Sequence, residues 1–167
     1  GIDYEAVYTM EPDFFANEVE SLNVRVLAGF IQERSDTPLG GRPTNTIGDY
    51  TAPDLTAVAT ASYTVGPYSL QLQQRYITDT MLNYRWVEGV DVDDNTVASS
   101  TWFNGQVMYN GEAGNGAAWN VALNIQNLFD KNPPIIASFG SRGGSQNTSD
   151  NYDTLGRRYQ LSVNYNF

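Results

Sequence analysis

Tyr159-Gln160-Leu161-Ser162-Val163-Asn164-Tyr165-Asn166-Phe167 ends the chain, and its reading decides the fold. Tyr159, Leu161, Val163, Tyr165 and Phe167 fall on one face of a strand, and Gln160, Ser162, Asn164 and Asn166 on the other. The termini of soluble domains tend to fray. A half-apolar strand that stops on an aromatic instead looks like one finishing at a membrane interface.

Working back from this strand, six earlier stretches repeat the alternation: 2–10, 22–34, 54–65, 68–78, 102–111 and 118–130. Each is close to the ~9–11 residues that a tilted transmembrane strand needs. The connections alternate in length. Those after the first, third and fifth strands are short, whereas 35–53, 79–100 and 131–155 are long and rich in Gly, Pro, Ser, Thr, Asn and Asp. Short turns at one end and long loops at the other are the outer-membrane pattern.

Charge and aromatics follow the same logic. Asp3, Glu5, Arg25 and Arg75 sit on the polar faces of their strands, while Arg34 and Arg157 share the apolar parity at the long-loop rim. A Lys or Arg facing lipid at the midplane costs roughly 2–4 kcal/mol, falling towards zero at the interface. The apolar-face aromatics sort into two levels. Tyr8, Tyr63, Tyr68, Tyr109, Trp119, Tyr165 and Phe167 lie near the short turns, and Tyr4, Phe30, Tyr76, Phe103, Phe129 and Tyr159 near the long loops. The expected fold class is therefore all-β, an antiparallel up-and-down transmembrane barrel with residues 1–167 as one portion of it. The competing reading is a soluble, secreted β-sandwich that binds glycans through exposed Tyr and Trp, its inner aromatics forming a core.

Composition narrows the chemistry. The chain has no Cys, which removes disulfides and thiolate sites, and no His, which removes Ser-His triads and the commonest metal ligand. An outer-membrane hydrolase is poorly supported for that reason, and neither catalysis nor a cofactor is expected. A net charge of −10 argues against nucleic acid. Mean hydropathy is −0.40 and no run approaches the ~18 apolar residues of a spanning helix, a test to which barrels are blind. The chain opens on Gly1 without an apolar leader and reads as processed or truncated.

The chain, over essentially its whole length, also resembles the last third or so of the barrel of a known family. Asn127-Leu128-Phe129-Asp130-Lys131, Pro133-Pro134, a Gly/Ser-rich loop with Tyr152-Asp153, then Gly156-Arg157-Arg158-Tyr159 and the terminal Phe167 are similar to the C-terminal end of TonB-dependent outer-membrane receptors. Tyr76-Ile77 and the loop residue Trp86 fit the same pattern. The resemblance implies a 22-stranded barrel of which these are the last seven strands. It also implies a separate N-terminal plug, and import of a scarce nutrient (ferric siderophore, vitamin or oligosaccharide) with energy from TonB. The implied location is the bacterial outer membrane. Implied partners are the bilayer and its lipopolysaccharide, the barrel assembly machinery, and the TonB complex acting through a plug. Seven strands cannot close such a barrel, and an open sheet leaves two unpaired edges, which hydrocarbon does not tolerate.

Several residues are candidates for function, each with a plainer reading beside it. Tyr159, Leu161, Val163, Tyr165 and Phe167 resemble the signal read by the barrel assembly machinery; the plainer reading is an ordinary interfacial strand. Tyr84, Arg85 and Trp86 could stack on a sugar, a catecholate or a porphyrin-like ligand, or simply anchor their loop. Arg142 could meet an anionic ligand or stay solvated. Arg34 and Arg157 could pair with lipopolysaccharide phosphates. Asp91-Val92-Asp93-Asp94-Asn95 begins like a calcium loop, but Thr96 and Trp102 stand where such a loop needs Gly and an acid. A solvated acidic loop is expected there, and no metal site.

Overall fold

A computed structural model describes residues 1–15, 18–37, 39–138, 145–147 and 151–166. Arg142 and Phe167 lie outside the described residues. Seven long strands form one antiparallel sheet in simple chain order. They are β1 (Ile2–Met10), β2 (Glu20–Phe30), β3 (Leu55–Val65), β4 (Tyr68–Ile77), β5 (Ser100–Glu112), β6 (Ala118–Gln126) and β7 (Arg158–Tyr165). β1 and β7 each pair on one side only, so the sheet is open. The meander follows from the sequence: Gly66 takes a positive φ of 50° in the two-residue turn between β3 and β4, which Gly adopts without a Cβ penalty.

Two expected strands prove too long. The second ends at Phe30, and the loop beyond it carries Arg34. It also begins earlier, at Glu20, whose parity is that of the apolar face. That buried carboxylate accepts from the Tyr63 hydroxyl and from Phe15 N at 2.6 Å, so its charge is hydrogen-bonded at the short-turn end. The sixth strand ends at Gln126, because Asn127 enters the left-handed region with φ 51° and Asp130 follows with φ 54°. Phe129 therefore sits on a turn, not in a strand, although its ring still meets Phe103 edge-on at 5.3 Å.

The two faces of the sheet have opposite fates. Tyr4, Tyr8, Leu70, Leu72, Val107, Leu123, Tyr159, Leu161 and Val163 all point to the apolar face and are all exposed, Leu161 at 69% and Val163 at 66%. Among the described residues every long strand belongs to this one sheet, so no second sheet covers that face. Burial lies elsewhere. Ile77 and Trp102, at polar-face positions near the long-loop end, pack with Val97, Ile136 and Tyr152, and with the half-buried Tyr50 and Leu82. All three long connections contribute to this cluster.

These connections carry short hairpins of their own: Ser35–Asp36 with Thr44–Asn45, Thr80–Met81 with Thr96–Val97, and Ile136–Ser138 with Ser145–Asn147. They are also laced together. Met81 N donates to Gly48 O at 2.7 Å, Tyr50 N to Met81 O at 2.9 Å, and Asn151 Nδ2 to Tyr50 O at 3.2 Å. The result is a cap, knitted from three loops, over one end of the polar face.

The register exposes a further regularity. Tyr8 is level with Val24, Ala61, Leu72, Gly105, Ile125 and Tyr159 across the seven strands. Measured from that row, the short-turn aromatics step towards the turns from Tyr8 through Tyr63, Tyr68 and Tyr109 to Trp119 and Tyr165, which lie six residues further along (125 to 119, and 159 to 165). The long-loop aromatics drift the same way, from Tyr4 on β1 to Tyr159 on β7. At about 3.3 Å along per residue and about 4.8 Å across per strand, six residues over six steps incline the short-turn level by about 35° to the hydrogen-bond ladder, and four residues over six steps incline the long-loop level by about 25°.

Candidate functional site

The Asn127–Lys131 motif is a clasp. Asn127 is 1% exposed, and its amide imitates a backbone partner: Nδ2 donates to Lys131 O at 2.9 Å while Oδ1 accepts from Lys131 N at 2.8 Å. Its own N–H donates to Asn104 Oδ1 at 3.0 Å, which ties the turn to the polar face of β5. Asp130 then reaches across the base of the third long loop. Its Oδ1 accepts from Arg157 N at 2.9 Å, and its Oδ2 lies 3.8 Å from Arg157 Nη2. Gly156, with φ 71°, lets this approach happen, since a Cβ there would sit 3.1 Å from the Asp130 oxygen. Arg157 is thus half of an internal pair at the loop base.

Above the clasp the chain folds back over the polar face. Tyr152 and Trp102, both 4% exposed, meet with ring centroids 5.7 Å apart. Burial pushes the Tyr152 phenol above its ordinary range, and the neighbouring Thr80 hydroxyl pulls in the other direction. Asp153 Oδ1 stands 3.5 Å from Arg158 Nη2 and also accepts from Leu155 N at 3.0 Å. Between this loop and the sheet lies a cavity of about 280 Å³, lined by Arg75, Trp102, Asn104, Gln126, Asn151, Tyr152, Asp153 and Arg158.

Below it the polar face continues as a field of amides. Asn104 Nδ2 donates to Gln73 Oε1 at 3.1 Å, Gln106 Nε2 to Asn124 Oδ1 at 2.5 Å, and Asn164 Nδ2 to Asn120 Oδ1 at 2.9 Å. Side chains that pair across strands in this way fix the register and leave a hydrated, neutral surface.

Of the described residues that the sequence singled out for a ligand, Tyr84, Arg85 and Trp86 are not in the lining of this cavity. Tyr84 and Arg85 form a cation–π contact, with the guanidinium carbon 5.2 Å from the ring centre. Tyr84 lines a separate opening of about 510 Å³ with Arg34, Ser35, Thr46, Asp49 and Thr51. The Tyr84–Trp86 segment is braced locally: Arg85 N donates to Asn83 Oδ1, Trp86 N to Asn83 O, and Asn95 Nδ2 to Trp86 O. These bonds hold the segment within its own loop, with Tyr84 at the wall of a polar opening. Two of the neighbouring acids serve as turn caps, Asp91 for Val87 N at 2.8 Å and Asp94 for Thr96 N at 2.8 Å. No group of three or more acidic side chains placed to hold a metal occurs among the described residues. Tyr159, Leu161, Val163 and Tyr165 share the exposed apolar face of β7 as expected.

Sequence reasoning missed the cavity, although one signal was present: Ile77 and Trp102 are large apolar residues at polar-face positions, which marks a place where something folds over the sheet. Comparison with protein-family models, with curated proteins and with solved structures finds no match.

Proposed function

We propose that the chain is the C-terminal, seven-strand portion of a transmembrane barrel of the TonB-dependent receptor kind, 22-stranded when whole. In this reading it imports a scarce nutrient across the bacterial outer membrane with TonB-supplied energy and performs no catalysis. The observation that carries the reading is the inverted sidedness of the sheet. Its apolar face is bare, while its polar face is amide-lined and capped. In water that arrangement wastes the hydrophobic effect, since burying one Leu or Val side chain is worth roughly 1.5–3 kcal/mol. In a bilayer it is the favourable one.

The oblique aromatic levels support it independently. Strands of closed barrels tilt by roughly 35–45°, and two aromatic belts inclined in the same sense, by about 35° and about 25° to the ladder, would lie close to a membrane plane. A sandwich gives no reason for such an inclination, and it needs a second sheet. The free edges of β1 and β7 would join the remaining strands, and the bilayer, lipopolysaccharide and barrel assembly machinery would be the surroundings and partners of the whole. The ligand class stays at siderophore, vitamin or oligosaccharide.

Fractionation of cells expressing the protein tests this. The expected result is recovery in the outer membrane, resistance to carbonate and high-salt extraction, and release only by detergent. A monodisperse protein in the aqueous fraction without detergent would sink the reading and favour the glycan-binding sandwich.

A further inference from the structure

The cavity beneath the third long loop has an excess of donors over acceptors. Arg158 Nε and Trp102 Nε1 are buried without a hydrogen-bond acceptor, and Arg75 has no ion pair among the described residues. Gln126 adds an uncommitted amide, whereas Asn104 and Asn151 are engaged with Gln73 and Tyr50. The single carboxylate in the lining, Asp153, is already shared between Arg158 and Leu155 N. Two arginines against one aspartate leave the lining at +1 in a chain whose net charge is −10. Buried donors that lack acceptors cost folding free energy, so a fold that retains them has a use for an acceptor there.

We propose that this cavity is a binding site for an oxoanion, a carboxylate or phosphate group carried by a small ligand. The anion sits between Arg75 on β4 and Arg158 on β7, with the Trp102 indole N–H as a third donor. β4 and β7 are three strand steps apart, about 14 Å, a gap that two extended arginine side chains reach into from opposite sides. About 280 Å³ is at the small end for ligand sites, so it accommodates one anionic group and its neighbourhood, not a large ligand in full. Charge-assisted and bidentate bonds from Arg make the contact selective for oxoanions over neutral hydroxyls. The assignment rests on the barrel reading only for the route, which would be through the cap from the long-loop side.

Tryptophan emission and calorimetry on the purified protein in detergent, titrated with citrate and with inorganic phosphate at constant ionic strength, test the site. The expected result is saturable binding of at least one anion. Its emission change should vanish in Trp102→Phe, and its affinity should fall at least tenfold in Arg75→Gln and in Arg158→Gln. Arg25→Gln, on the same face but remote and paired with Glu5, should bind as the parent does. Preference for citrate assigns carboxylate chemistry, and preference for phosphate assigns phosphate. Arg75→Gln removes no contact that holds the fold together, so it remains decisive even if Arg158→Gln misfolds. No saturable binding of either anion, or unchanged affinity in Arg75→Gln, overturns the site. An aqueous protein that still bound the anion would sink the membrane reading alone, and an inserted protein that did not would sink the site alone.

Discussion

The bare apolar face of the sheet and the knitted cap over its polar face are built from similar residues and put to opposite use. On the face, Tyr, Leu and Val alternate strand after strand and bury little. In the cap, a few apolar residues from three loops (Tyr50, Leu82, Val97, Ile136 and Tyr152) close over Ile77 and Trp102, with buried polar groups wired between them. Asn95 is one such group: it binds the backbone of Asn83 and of Trp86. The cap largely follows the rules of a water-soluble core, with apolar contacts inside and polar groups such as Asn95 paired, while Trp102 Nε1 and Arg158 Nε at the cavity are not. The face follows none of them. The difference is what the proposed membrane reading requires: one chain organised against two solvents, with the boundary between them along the ends of the strands.

The sharpest way to break that comparison is to put a charge on each face at neighbouring positions. Leu161→Arg places a guanidinium on the apolar face of β7 between its two aromatic levels, and Gln160→Arg places it on the polar face. If lipid is the outer solvent, Leu161→Arg should lower stability in vesicles by roughly 2–4 kcal/mol, measured as a shift of the urea midpoint, with a matching loss of inserted protein in cells. Gln160→Arg should stay within about 0.5 kcal/mol, as surface substitutions generally do. Equal effects at the two positions would erase the distinction between the faces.

The clasp is where face and cap are joined, and Asn127→Ala sharpens the comparison by loosening one without touching the other. It removes both side-chain bonds to Lys131 and forces Ala into a positive φ. A loss of about 2–3 kcal/mol is expected from the unpaired backbone groups and the strain. The loss should appear first as protease cleavage within 131–155, while membrane insertion persists. Cleavage unchanged from the parent would mean that the cap holds itself closed without the clasp.

The seven strands were legible because period-two alternation and Gly/Pro breaks are local signals. The error at Asp130 arose where a polar side chain, that of Asn127, and not a breaker residue ended the strand, and no breaker marks the end of the second strand at Phe30. Asn127 puts a polar residue on the apolar parity of the sixth strand, but Phe129 restores the pattern beyond it, and only the bonds of Asn127 to Lys131 and Asn104 reveal a turn. Tyr84 and Arg85 were legible as a pair because they are adjacent in sequence. The cavity was not, because Arg75, Trp102, Gln126 and Arg158 become neighbours only through the register of four strands and a loop that doubles back. Ile77 and Trp102 on polar-face positions contradicted their surroundings, and contradictions of that kind mark functional or covered positions more often than agreements do.

The smallest expected effect isolates the cap by pH. Tyr152 has its phenol raised above the ordinary value of 10.0, chiefly by desolvation. Below pH 10 the hydroxyl is neutral in both the folded and unfolded states, so its contribution is fully present and constant. As pH rises through the folded value, the unfolded chain has already released its proton and is favoured, so the cap loses stability. Apolar-face tyrosines such as Tyr159 are not part of this cluster, so the alkaline loss should show as opening of the cap while the sheet stays folded. Tyr152→Phe keeps the ring against Trp102 and removes the ionisable group. It should behave as the parent near neutral pH and resist proteolysis of the third loop better than the parent at pH 11. If parent and variant open together with rising pH, the phenol is not what couples the cap to alkali, and the burial at Tyr152 serves packing alone.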